Sequence, residues 1–124
     1  MILNAKLSTL STSIAEILGQ ISSPARVALL LTIGEGEACV CHLESVLGWR
    51  QAYISQHLMA LRKAGILKDR REGRYVYYQL VNPIVFSLIK ETACLCGLSV
   101  QAVSTPLTET TACSCPQCAF INPA

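Results

Sequence analysis

The segment from Cys39 to Leu80 changes its hydrophobic period part-way, and that change restricts the fold more than any other feature of the chain. Cys39 to Leu47 reads as a short helix with Leu43, Val46 and Leu47 apolar, closed by Gly48 as a helix C-terminal glycine would close it. From Arg50 to Ala64, Ile54, Leu58 and Leu61 share one helical face, leave Gln51, Ser55, Gln56 and Arg62 on others, and run into Gly65. The period then becomes two. Ile66 to Arg70 leads into a turn at Arg71, Glu72 and Gly73, and from Arg74 to Leu80 the residues Val76, Tyr78 and Leu80 alternate with Tyr75, Tyr77 and Gln79. The expected architecture is mainly α with a small β-hairpin.

Helices are also predicted on either side. Ser13 and Glu16 stand at capping-box spacing ahead of Ile14, Ile17, Leu18 and Ile21, which predicts an amphipathic helix over Ser13 to Ile21. Ser23 and Pro24 open a second helix, with Val27, Ala28, Leu30 and Leu31 as its buried face and Gly34 and Gly36 as its end. Asn82 and Pro83 cap a last helix carrying Ile84, Val85, Leu88, Ile89 and Leu95, stopped by Gly97. Beyond Gly97 the composition turns to Ser, Thr and Pro, so the expected division is a folded domain over 1–98 and a flexible tail over 99–124. A chain of 124 residues forms one core. With 52% hydrophobic and 15% charged residues it has apolar surface to spare, which fits a dimer. The sequence has no apolar run of the roughly 20 residues that a bilayer requires, and Met1 to Leu10 does not read as a secretory signal, so no membrane partner and a cytoplasmic location are expected.

Charge adds a partner. Arg50, Arg62, Lys63, Lys68, Arg70, Arg71 and Arg74 outweigh Asp69 and Glu72, giving residues 49–80 a net +5 in a chain of net +2, so the remainder is −3. A basic segment in an otherwise acidic chain suits a polyanion. Short helix, glycine turn, polar-faced helix and basic hairpin are together the order of a winged helix-turn-helix, in which the second helix lies in the major groove of double-stranded DNA and the hairpin meets phosphate or the minor groove. Clustering alone leaves another reading open, a packing helix pair with a solvated arginine face.

The segment Leu47-Gly48, then Ile54-Ser55-Gln56-His57-Leu58, Leu61-Arg62, Ala64-Gly65-Ile66 and Arg71-Glu72-Gly73-Arg74-Tyr75-Val76-Tyr77-Tyr78 resembles the core of the ArsR/SmtB family of metal-sensing repressors, over roughly residues 10 to 97. The resemblance implies a homodimer that holds operator DNA and lets go when an inducer binds. By position it places Gln51, Tyr53, Ser55 and Gln56 at the groove, Arg62 near phosphate, and Arg70, Arg71 and Arg74 on the wing. The family often has a small hydroxyl residue at the start of the reading helix, where this chain has Trp49 and Arg50. His57, in the family's histidine position, is expected to pack and hydrogen-bond rather than to ligate.

Seven cysteines in a chain expected to stay reduced point to metal or redox chemistry rather than to a disulfide framework. They form three groups: Cys39 and Cys41; Cys94 and Cys96; Cys113, Cys115 and Cys118. Inside a helix, residues i and i+2 point about 200° apart at about 3.6 residues per turn, so a Cys-x-Cys pair converges only where the helix end is irregular. Cys39 and Cys41 lie at such an end, where the helix N-terminus also favours thiolate charge. Cys39-Val40-Cys41-His42-Leu43 resembles, in part, the family's thiol motif for arsenic, antimony, cadmium or lead; Glu44 stands where arsenic sensors have a third cysteine. Two thiolates are too few for a soft-ion site. At about 3.3 Å per extended residue the tail is long enough to return Cys113, Cys115 and Cys118 to the pair, in its own subunit or in a partner.

Other roles stay open. The tail cysteines can instead form a structural zinc knot or have no role, and His42 reads as a surface residue. Cys94 and Cys96 are small buried hydrophobes or additional ligands. The expected function is a repressor released by As(III) or Sb(III), or by Cd(II) or Pb(II), with no organic cofactor. A thiol redox or persulfide sensor of the same fold is the alternative, and a thiol-rich metal-buffering protein is one from another class. Two histidines in no catalytic spacing argue against an enzyme.

Overall fold

The computed structural model describes residues 2–99. Five helices and three strands follow in the order α1 (Ile2–Ile21), α2 (Pro24–Ile33), β1 (Glu37–Cys39), α3 (Val40–Leu47), α4 (Gln51–Lys63), β2 (Leu67–Glu72), β3 (Tyr75–Leu80) and α5 (Ile84–Leu95). Mainly α with a small sheet holds, in a winged helix-turn-helix arrangement. Among the described residues no single helix is long and apolar enough to cross a membrane. The tail from residue 100 onward, with Cys113, Cys115 and Cys118, lies outside the described residues.

The core forms where α2, α3 and α4 meet the sheet. Leu29, Leu30, Leu43, Ile54, Leu58 and Leu61 are fully buried there. On α4 the buried Ile54, Leu58 and Leu61 keep the predicted i, i+4, i+7 spacing. On α2 the stripe is displaced from the expected one: Ala25, Leu29, Leu30 and Ile33 are buried, while Val27, Ala28 and Leu31 are only half-buried. Ala25, Leu29 and Ile33, spaced i, i+4 and i+8, and Leu30 beside them form the stripe that meets the surrounding elements. Gly48 turns the chain between α3 and α4 in a left-handed conformation (φ 68°, ψ 20°), which a side chain would strain, and its N–H closes α3 on the Glu44 carbonyl. Gly65 and Ile66 finish α4 by returning N–H groups to the carbonyls of Arg62 and Leu61, a Schellman ending.

Three expectations are corrected. The first helix starts well before Ser13, so Ser13 and Glu16 are helix interior and not a capping box. The hairpin turns at Gly73 and Arg74, with Arg71 and Glu72 still paired in β2 opposite Val76 and Tyr75. The hairpin also gains a third strand. Glu37, Ala38 and Cys39 pair antiparallel with Gln79, Tyr78 and Tyr77, giving the order β1-β3-β2. A three-residue strand carries too little alternation to be read from sequence; Ala38 buries on the core face and holds it in register.

Directly opposed residues in an antiparallel ladder point to the same side, so the sheet has two distinct faces. Ala38, Val76, Tyr78, Leu80 and Leu67 face the helices and join the main core. Glu37, Cys39, Tyr75, Tyr77 and Arg70 occupy the other face, where Cys39 and Tyr77, both 1% exposed, form a separate small cluster with Cys41 and Tyr75.

Candidate nucleic-acid interface and thiol site

Burying one stripe of α4 presents the opposite one. Gln51, Tyr53 and Gln56 are exposed and Ser55 is half-buried, so the four expected reading positions lie on the first two turns of one helix. Tyr53 does not stand alone. Trp49 lies edge-on to it at 5.5 Å between ring centroids, and His57 edge-on at 4.8 Å on the other side. Arg26 on α2 donates from Nε to His57 Nδ1 at 3.2 Å and from Nη1 to the Gln20 carbonyl and Oε1 at 2.9 and 3.0 Å. An imidazole that accepts at Nδ1 is neutral, and burial together with the Arg26 charge moves the His57 pKa below its ordinary value. The packing and hydrogen-bonding role expected of His57 matches this geometry. Trp49 and Arg26 are contributions that sequence spacing did not reveal; the i, i+4, i+8 run Trp49, Tyr53, His57 was the signal for the first.

The wing cations are engaged to different degrees. Arg71 and Arg74 are exposed at the hairpin end, Arg74 resting over the Tyr75 ring at 5.3 Å. Arg62 on α4 pairs with Asp69 at 3.2 Å. Arg70 is held on the protein: Nε and Nη2 donate to the two carboxylate oxygens of Glu37, each at 3.0 Å, and Nη1 donates to Glu72 at 3.1 Å. Those carboxylates, Glu37 first, raise its pKa further above the usual guanidinium value.

Cys39 is both the last residue of β1 and the N-cap of α3. Its backbone is extended (φ −79°, ψ 158°), and its Sγ accepts from the His42 N–H at 3.2 Å. The next residues turn into helix, and this change of direction brings Cys41 Sγ to 2.7 Å from Cys39 Sγ. No disulfide occurs among the described residues. The helix N-terminus and the His42 N–H both favour a thiolate at Cys39. His42 itself is buried at 7% exposure, not on the surface as expected, because the first turn of α3 directs it with Leu43 into the protein; burial lowers its pKa. Cys94 and Cys96, by contrast, are exposed at the end of α5, which removes the reading of them as small buried hydrophobes within one chain. Among the described residues no group of three or more His, Cys, Asp or Glu side chains stands ready for a metal, so the Cys39 and Cys41 pair by itself is an incomplete site.

The profile of the family described as "Bacterial regulatory protein, arsR family" matches residues 23–69, from the cap of α2 into the first residues of β2. The Biofilm growth-associated repressor of Agrobacterium fabrum is 39% identical over 80 residues, which are 64% of this chain and 68% of that protein. The chain belongs to the ArsR/SmtB family. Another relative, the arsenic resistance transcriptional regulator ArsR1 of Pseudomonas putida, is 55% identical over 56 residues, 45% of this chain; the match spans less than half of that regulator, 43% of its length. Among solved structures, reduced HlyU from Vibrio cholerae superposes with a TM-score of 0.67 at 28% identity, covering 73% of this chain and 95% of that one. ArsR/SmtB proteins are transcriptional regulators and not enzymes, and the profile spans α2, β1, α3 and α4, the helix-turn-helix among them.

Proposed function

We propose that this ArsR/SmtB protein is a homodimeric repressor that holds operator DNA and is released when a thiophilic ion, arsenite or antimonite, or cadmium or lead, binds Cys39 and Cys41. The observation that carries the reading is the convergence of those two sulfurs at the strand-to-helix junction, directly ahead of the helix that precedes α4. Soft ions prefer sulfur donors, and a thiolate pair supplies part of such a set. The remaining ligand is assigned to Cys113, Cys115 or Cys118, with Cys94 and Cys96 as additional candidates. Gln51, Tyr53, Ser55 and Gln56 read base edges; Arg62, Arg71 and Arg74 meet phosphate.

Two helices with exposed apolar stripes support the dimer. Leu7, Leu10, Ile14, Ile17 and Leu18 make an exposed stripe along α1, and Ile84, Leu88 and Leu95 do the same on α5. Apolar surface on this scale is characteristic of an interface, and a second copy of the chain offers the same two helices. An ion shifts the DNA equilibrium only by its differential affinity for the two states, and a coupling of about 5–150-fold is typical of such linkage. Support for an arsenic response comes from the name of the Pseudomonas relative.

The test titrates reduced protein with each ion while following a labelled fragment of its own promoter by anisotropy and thiolate charge-transfer absorbance in the ultraviolet. Release should track the absorbance. Equal grip by ion-loaded and ion-free protein overturns the reading. Sulfurs this close also suit the redox or persulfide alternative, in which a two-sulfur link replaces the ion; release by peroxide or polysulfide, with the matching mass change and none by ions, selects it.

A further inference from the structure

One row of side chains crosses the sheet under the thiol pair. Cys39 on β1 opposes Tyr77 on β3, and Tyr77 opposes Arg70 on β2, so all three point to the same face. The Tyr77 ring is packed against Cys39 with 1% of its surface exposed, and the Arg70 guanidinium covers that ring at 4.6 Å from its centroid. Glu37 lies two residues before Cys39 on the same face, and its bidentate pair with Arg70 bridges the two outer strands over the middle one. Glu37, Tyr77 and Arg70 thus fasten the thiol-bearing strand to the wing.

We infer that Arg70 is a positioning residue, not a phosphate contact: with Glu37 it transmits occupancy of the Cys39 and Cys41 thiols to the wing hairpin. The inference rests on the thiol-inducer reading above and names the link between its two sites. Charge argues for it. A guanidinium bonded to two carboxylates is the centre of a cluster of net −1, which repels phosphate, and three of its five N–H donors already have acceptors in Glu37 and Glu72. Geometry argues for it too. Ion binding at Cys39 Sγ displaces whatever that sulfur touches; the Tyr77 ring is in that contact, and Arg70 rests on the ring's exposed side while its backbone is part of the wing strand. β2 continues from Arg70 through Arg71 and Glu72 to the turn at Gly73, so a shift at Arg70 is delivered to the exposed Arg71 and Arg74.

The experiment measures operator affinity by anisotropy with and without the ion that releases the wild-type protein most fully among arsenite, antimonite, cadmium and lead. It compares wild type, Glu37→Gln, and the exchanged pair Glu37→Arg with Arg70→Glu. Glu37→Gln should leave the ion titration seen by thiolate absorbance within about twofold of wild type, yet cut the ratio of ion-free to ion-loaded operator affinity at least about threefold, a large share of a typical coupling. The exchanged pair should recover most of that ratio, which a merely structural role for either side chain does not predict. Should Glu37→Gln lose its cooperative thermal melt, Arg70→Lys, which keeps the charge and drops the fork, takes its place with the same expected loss of coupling. A Glu37→Gln ratio equal to wild type overturns the link and leaves the thiol reading standing. An Arg70→Gln protein that keeps the full ratio while its salt slope falls by about one makes Arg70 a phosphate contact and likewise overturns it. Failure of every ion to release wild type removes the thiol reading and the link together.

Discussion

Two Cys-x-Cys pairs occur in the described part of this chain, and identical spacing yields opposite geometry. Cys39 ends a strand with extended backbone and Cys41 sits in the first turn of a helix, so the sulfurs meet at 2.7 Å beside a tyrosine. Cys94 lies in the last turn of α5, which ends at Leu95 with Cys96 as its C-cap, still helical at φ −82° and ψ −2°, and helical residues two apart point about 200° from one another at about 3.6 residues per turn. Spacing alone therefore does not make a chelate; the break in backbone direction between the two residues does. The second pair, exposed on a backbone that stays helical, needs a ligand from elsewhere even to begin a site.

The largest expected effect tests that contrast directly. Cys39→Ser or Cys41→Ser should bring the ratio of ion-free to ion-loaded operator affinity from its wild-type value to about 1, with ion-free binding unchanged, whereas Cys94→Ser with Cys96→Ser should keep most of the ratio. Promoter-fragment anisotropy checks both. A response lost equally in the two sets of variants makes the α5 pair an equal partner and breaks the comparison. A smaller effect follows from burial. Cys94 and Cys96 should be alkylated by iodoacetamide at least about tenfold faster than the buried Cys39, since reaction needs an accessible thiolate. Prior addition of the ion should slow labelling at Cys41 far more than at Cys94, read by peptide mass spectrometry.

Much of this was legible in the sequence, for physical reasons that differ by residue. The α4 stripe of Ile54, Leu58 and Leu61 and the alternation from Tyr75 to Leu80 are strong periodic signals, and the structure keeps both. The convergence of Cys39 and Cys41 followed from placing them at a helix start. The strand that sets it did not, because β1 is three residues long and owes its existence to pairing with a partner some forty positions away. The same non-local pairing hid Tyr77 and Glu37 as neighbours of the thiols, and put Arg70 in an ion pair that its membership of a basic cluster did not suggest. His42 is buried against the expectation because one short helix carries too few residues to show in sequence which side faces inward. The early start of α1 is hard to read for a related reason: its apolar stripe is exposed within one chain, and the helix runs straight through the capping pattern at Ser13 and Glu16.

The smallest effect checks that the contrast belongs to the thiols and not to acidity behind the reading helix. His57 accepts from Arg26 as a neutral ring, and burial first, then the Arg26 charge, lowers its pKa below the usual 6.5. The unfolded chain therefore takes up a proton near pH 6.5 that the folded protein resists, so folded-state stability is full above that pH and declines as pH falls toward the depressed folded value. The ring is half-exposed and screened by solvent, so the decline attributable to it is small. Urea melts at pH 7.5 and 5.5 should show it, and His57→Gln, whose amide oxygen still accepts from Arg26 without titrating, should flatten that part of the slope. Because neither cysteine pair touches His57, the flattening should be the same whether it is introduced beside Cys39→Ser and Cys41→Ser or beside Cys94→Ser and Cys96→Ser. A slope that depends on which pair is intact would mean that the strand-to-helix junction and the reading helix exchange energy even without an ion, and that the buried pair differs from the exposed one in its connection to α4 as well as in its geometry.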